Sequence, residues 1–151
     1  MKAQYATLYA QFALDKQRHV SARAAAPETF HLPHDCIRHG FLGSSVDTVV
    51  TTWTLCAIPN VMLALAEMRR VLRPDGRLLF VEHGLSPDAS VRRWQDGLTP
   101  LWKRLGGGCH LNRAISQIIQ DAGFRIDRVE TGYMKGLKPM TFMYEGFARP
   151  R

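Results

Sequence analysis

The chain has 151 residues, 46% of them hydrophobic, and carries a formal net charge of +7. One domain of this size buries a core without disulfides or metal to hold it, and the apolar runs are far too short to cross a bilayer. With no apolar signal core at the start and with Cys36, Cys56 and Cys109 too scattered to form a CxxC pair, a cytoplasmic chain with reduced thiols and no integral membrane segment is expected.

In chain order, Tyr5, Leu8, Tyr9, Phe12 and Leu14 predict a weakly periodic first helix, which small residues extend until Pro27 ends it. Residues 29–32 predict a short strand, and residues 33–45 a polar connection carrying His34, Asp35, Cys36 and His39. Together with His31 these are zinc-ligand residue types. Structural zinc sites usually draw on two separated ligand pairs, so a His-rich loop is expected here and no metal site is assigned.

Residues 46–84 are the most clearly punctuated stretch. The β-branched run from Val46 to Thr52 has the composition of a strand buried on both faces in a parallel sheet. Asn60 is placed to cap a helix in which Val61, Leu65, Met68 and Leu72 recur on one face, and this helix is expected to run to Arg73, where Pro74 stops it. Asp75 and Gly76 then turn the chain into an all-apolar strand from Leu78 to Val81, ending in Glu82 and His83. A strand, a crossover helix and a strand predict a parallel pair with a right-handed connection. Ligands gather beyond the carboxyl ends of such strands, which directs attention to residues 51–56 and 82–84.

Ser86, Pro87 and Asp88 open the next helix, with an apolar stripe of Val91, Trp94, Leu98, Leu101 and Leu105 and a kink or split expected at Gly97 and Pro100. After the glycines at 106–108, Asn112 is expected to cap a helix whose inner face is Ile115, Ile118, Ile119 and Ala122, and Gly123 stands where a left-handed residue ends it. Residues 124–131 and 141–148 predict two strands joined by a loop, hence an antiparallel C-terminal hairpin. Basic residues are scattered over these elements without a dense run or interleaved aromatics, so solvated helix faces are expected and no nucleic-acid partner.

The runs VDTVVTTWTLCAIPN, LAEMRRVLRPDGRLLFVEHG, RWQDGLTPLWKRLGGGCHLNR, AGFRIDRVETGYMKG and TFMYEGFARP resemble small class I S-adenosylmethionine-dependent methyltransferases, of the type 11 and ubiquinone/menaquinone C-methyltransferase-like group, whose animal relatives include thiol methyltransferases. The resemblance covers residues 46–151, and residues 1–45 form a divergent or truncated part of the same single domain. It implies an α/β fold: a partial Rossmann-like class I sheet of parallel strands flanked by helices. It also implies S-adenosylmethionine as cofactor and methyl transfer to a small, lipophilic acceptor, with Trp94, Trp102, Tyr133 and Met134 as candidates for an apolar pocket. The family's glycine-rich GxGxG cofactor loop has no counterpart, since no glycine precedes Gly40. The alternative is a non-catalytic, methyltransferase-like interaction subunit or relic, and a homo-oligomer covering the missing part of the sheet is expected with it.

The resemblance also proposes site residues. Asp35 would accept from the adenine amine, and Thr51, Thr52 and Trp53 would form the sulfonium-side wall, where an aromatic face attracts a cation. His83 and His110 are the candidate catalytic residues, as groups able to titrate near neutrality beside the acceptor. Glu82 and His83 are adjacent on a strand and so point to opposite faces, which leaves at most one of them for a given pocket.

Overall fold

The structure, a computed structural model, describes residues 43–151. The expectations placed on the first helix, the residue 29–32 strand, Asp35 and the His31–His39 cluster lie outside these residues.

Strand β1 (Val46–Thr52) leads through a turn to helix α1 (Val61–Val71), and strand β2 (Leu72–His83) follows directly. The Asn60 side chain accepts from the Leu63 amide at 3.1 Å, so the expected cap is formed. The helix is two residues shorter than expected, and the strand starts six residues before the expected Leu78, so that Asp75 and Gly76 lie within it and do not form the expected turn. Leu72 is already extended, at φ −67° and ψ 140°, because Arg73 precedes a proline and is pushed out of the helical region. The added residues pair irregularly with β1: Val46 faces Leu72 but Thr48 faces Arg77, and only from there does the parallel ladder run in register to Thr52 and Val81. β1 is half-buried along most of its length, short of the burial on both faces that its composition suggests.

Helix α2 (Ala89–Leu105) runs through Gly97 and Pro100 as one helix. Its buried face is not the expected one. Val91, Gln95 and Thr99 point inward, while Trp94 (65% exposed), Leu101 and Leu105 (73%) face outward. Gln95 explains the choice, because its amide is consumed by the backbone beyond β2: Oε1 accepts from the Ser86 amide at 2.9 Å and Nε2 donates to the Gly84 and Pro139 carbonyls at 2.9 and 3.1 Å. Several hydrogen bonds on one buried side chain outweigh the burial of one more leucine.

Helix α3 (Ile115–Asp121) buries Ile115 and Ile119 and ends at Gly123 with φ +85°, as the sequence indicates. Asn112 does not cap it. Its amide donates instead to Asp96 of α2 at 2.8 Å, and the capping position is Ala114. Strand β3 (Phe124–Tyr133), the short helix α4 (Lys138–Thr141) and strand β4 (Phe142–Pro150) complete the chain.

The sheet order is β1-β2-β4-β3, with β1 parallel to β2 and β4 antiparallel to both β2 and β3. The last strand therefore inserts between β2 and β3, where it covers what would otherwise be two open edges. On one face Leu78, Phe80 and Ala148 pack against Leu65 and Met68 of α1 and Ile115 and Ile119 of α3, forming the main core. Burying each of these large side chains contributes on the order of 1.5–3 kcal/mol.

Candidate active site

β1 and β2 end side by side, and the chain that leaves each of them builds the site. After β1, Trp53 sits in the left-handed region at φ +54° with its amide donating to the Val81 carbonyl at 3.0 Å, so the chain turns sharply off the sheet. Glu82 fixes that turn. Fully buried on the Leu78 and Phe80 face, its two carboxylate oxygens accept from the Thr54 and Leu55 amides at 3.1 Å each. Burial pushes its carboxyl above the usual range, and the two amides together with the nearby Thr51 hydroxyl oppose that rise. The Arg113 guanidinium donates to the Leu55 carbonyl from the other side.

With this turn in place, a second cluster forms. The His110 amide donates to the Cys56 carbonyl at 2.9 Å, which draws the segment preceding α3 against the post-β1 turn. Cys56, Cys109 and Leu111 form a small buried core with Trp102, Leu98 and Met140 packed on it. His83, the last residue of β2, points into this cluster from the face opposite Glu82, and its Nε2 lies 2.9 Å from Cys109 Sγ. The ligand-type atoms of Cys56, His83 and Cys109 all lie within 4.8 Å of one another. Cys109 is held well below the ordinary thiol range, first by the neighbouring Cys56 thiol and then by His83, while Cys56 is pushed up by the same contact and by burial. The Cys56 thiol donates to the Trp53 carbonyl at 3.5 Å.

A pocket of about 250 Å³ opens over these groups. Trp53, Trp102, Leu111 and Met140 wall it, and Cys56, His83 and Cys109 lie at its polar end. Trp53 is 47% exposed and its ring centroid lies 5.3 Å from that of His83.

Of the residues proposed from the sequence, His83 and Trp53 meet at this pocket. Thr51 lies buried beneath it near Glu82, and Thr52 is exposed. His110 stands outside the lining: its ring Nδ1, like its amide, is directed at the Cys56 carbonyl, at 3.2 Å. Burial, then the Arg113 and Lys103 charges, lower its pKa. Of the expected apolar contributors only Trp102 lines the pocket, whereas Trp94 is exposed and the Tyr133 hydroxyl donates to Asp88 at 2.7 Å and contacts Ser86 Oγ at 2.5 Å. Cys56 and Cys109 were not singled out as a pair, being 53 positions apart in sequence. The parallel β1–β2 pairing signals that Cys56 lies beside His83, whereas no local pattern brings Cys109 to them.

The methyltransferase domain family matches residues 3–80, just over half of the chain. The chain belongs to this family. The match takes in nearly all of the segment ahead of β1 and the β1–α1–β2 unit as far as Phe80, and the sheet order with its inserted antiparallel strand is that of the class I S-adenosylmethionine methyltransferases. Thiol S-methyltransferase TMT1B of Rattus norvegicus is 44% identical over 82 residues, covering 54% of this chain and 34% of the rat protein. Thiol S-methyltransferase TMT1A of Homo sapiens is 39% identical over 88 residues, 57% of this chain and 36% of the human protein. The match thus spans about a third of the length of these curated relatives. Among solved structures, a SAM-dependent methyltransferase of Methanosarcina mazei superposes with a TM-score of 0.59 at 17% identity, over 85% of this chain and 70% of that one. The trans-methyltransferase CalH in complex with SAH gives 0.54 at 23% identity, over 93% of this chain and 40% of that one. These two likenesses concern the fold.

Among the described residues no helix is long and apolar enough to cross a membrane.

Proposed function

We propose that this methyltransferase transfers the methyl group of S-adenosylmethionine to a small, lipophilic thiol. The observation that carries the reading is the pocket at the ends of β1 and β2, whose walls are Trp53, Trp102, Leu111 and Met140 and whose polar end is the Cys56, His83 and Cys109 cluster. Apolar walls select an apolar body, and a few convergent polar groups fix the reacting atom. The thiol S-methyltransferases matched at 39–44% identity support sulfur as that atom.

When bound, S-adenosylmethionine supplies an electrophilic methyl group on a sulfonium. The described residues fit the methyl-bearing end of that molecule: the half-exposed Trp53 indole at the mouth of the pocket offers a face for a cation, worth about 0.5–2 kcal/mol. Thr51 and Thr52 contribute backbone to the same strand end, and Asp35 remains the proposed partner of the adenine amine. Methyl transfer is an in-line displacement, so most of what the chain must do is align the acceptor and keep water out. His83 lies at the polar end of the pocket, where it is suited to position the incoming sulfur. His110, turned away from the pocket, acts instead by holding the Cys56 turn in place.

The test is transfer of labelled methyl from S-adenosylmethionine to a medium-chain alkanethiol, with the alcohol and amine of equal length as controls. Label in the thioether alone supports the reading. Label in the alcohol or amine and none in the thiol contradicts it, as does the absence of label from all three.

A further inference from the structure

The Cys56, His83 and Cys109 cluster does more than line a pocket. We infer that it is a zinc site with three protein ligands, the fourth position opening into the pocket where the sulfur of the acceptor binds.

The three ligand atoms come from three separate parts of the chain, all buried and already within 4.8 Å of one another. A tetrahedral ion with about 2.3 Å to sulfur and about 2.1 Å to nitrogen sets its ligands about 3.6–3.8 Å apart. The observed spacing accommodates this, and the 2.9 Å His83–Cys109 contact need widen by only about 0.7 Å. Each ligand is also held from behind. The Cys56 turn is fixed by Glu82 and by the His110 amide, His83 by the ladder to Met143 of β4, and Cys109 by its amide bond to the Gly106 carbonyl at 3.2 Å. The other ring nitrogen of His83, Nδ1, is buried with no hydrogen-bond partner, so the imidazole has a donor atom to spare for an ion on either side of the ring.

Two thiolates and an imidazole are the ligand softness that selects zinc over magnesium or calcium. Three protein ligands and an open position characterise zinc sites that act on a bound molecule, whereas purely structural sites are closed by four. The walls around the open position are Trp53, Trp102 and Met140, which leave it accessible to an apolar thiol. On coordination the thiol loses its proton to solvent and a zinc–sulfur bond forms. That sulfur then attacks the methyl carbon: the new sulfur–methyl bond forms as the sulfonium–methyl bond breaks, S-adenosylhomocysteine leaves, and the neutral thioether dissociates from the metal. The acceptor's place at the metal rests on the proposed thiol specificity, whereas the metal site itself does not.

The experiment uses the whole chain, stripped with chelator and titrated with Co²⁺ in the absence of cofactor and acceptor. One equivalent of cobalt with thiolate-to-metal charge-transfer absorption, displaced by zinc, is expected. Zinc is also expected to protect the peptides carrying Cys56 and Cys109 from alkylation in the unsubstituted chain, a readout that needs no variant to fold. Cys56→Ser and Cys109→Ser should each abolish the absorption. A folded chain that shows neither the absorption nor protection overturns the site, as does rapid closure of a Cys56–Cys109 disulfide in the presence of zinc. An alkanethiol added to the cobalt form should shift the charge-transfer band. An unshifted band in a chain that still methylates thiols overturns the acceptor's coordination. An intact cobalt site in a chain that methylates no thiol overturns the proposed specificity while the metal site stands.

Discussion

Glu82 shows how one side chain sets the geometry of the whole pocket. Its two oxygens hold the Thr54 and Leu55 amides, and the turn they fix carries Trp53 and Cys56. Glu82→Gln puts an NH₂ group against one of those amides, so denaturant unfolding should show a loss of about 1–3 kcal/mol and cofactor binding should weaken with it. Unchanged stability would mean that water replaces the carboxylate. Trp53 is exposed enough to be removed without opening the core, and Trp53→Ala should weaken cofactor binding about fivefold, near 1 kcal/mol, with little change in unfolding midpoint. Glu145 offers a pH test away from the site. It faces Glu130 across β3 and β4, and burial first, then the Glu130 charge, hold its carboxyl above the usual range in the folded chain. The folded state therefore binds this proton more tightly than the unfolded one, so its contribution is present at pH below the ordinary carboxylate range and is lost as pH rises through the elevated value. Glu145→Gln should raise stability at neutral pH by roughly 0.5 kcal/mol and flatten that part of the pH profile, as measured by thermal unfolding between pH 4 and 7. A steeper profile in the variant would contradict the assignment.

At the scale of elements, α2 separates what amphipathic spacing can and cannot tell. The stripe of Val91, Trp94, Leu98, Leu101 and Leu105 has helical period, and a helix forms over it, yet the buried ridge is Val91, Gln95 and Thr99. Periodicity identifies the element type, but the inward face was decided by backbone groups of Gly84, Ser86 and Pro139 that only Gln95 can satisfy. Leu105→Glu should accordingly change stability by less than about 0.5 kcal/mol, whereas Ile119→Ala in α3 should cost roughly 3 kcal/mol, both read from denaturant unfolding. Equal effects would mean that the α2 stripe is buried. The helix ends were legible wherever a local rule acted alone, at Asn60 and Gly123, and misplaced where a tertiary partner competed, as Asp96 does for Asn112. Gly84 belongs with the second kind. A Cβ there would come 2.4 Å from the Arg113 carbonyl, so Gly84→Ala should separate β2 from the segment before α3 and cost roughly 2–3 kcal/mol.

Across the whole molecule, the β1–α1–β2 unit and the returning strand β4 were legible from a β-branched run, a capping asparagine and a second apolar strand, although the helix stops before Pro74, and Asp75 and Gly76 lie within β2. That topology pointed to the ends of β1 and β2, and His83 and Trp53 do meet there. The third participant, Cys109, arrives by a route that no local pattern encodes, through α2 and the glycines behind it. The insertion of β4 between β2 and β3 then places the Tyr144 hydroxyl on the Leu85 carbonyl at 2.5 Å, tying the end of the chain to the loop that leaves the site. If the proposed function holds, this fold presents a working methyl-donor site at those strand ends. Its most direct test is calorimetric titration of the whole chain with S-adenosylmethionine, whose sulfonium carries the charge that Trp53 faces, with Trp53→Ala alongside. Saturable one-to-one binding, weakened about fivefold in the variant, is the predicted result. Absence of any heat of binding at millimolar ligand, or equal affinity in both chains, would contradict it.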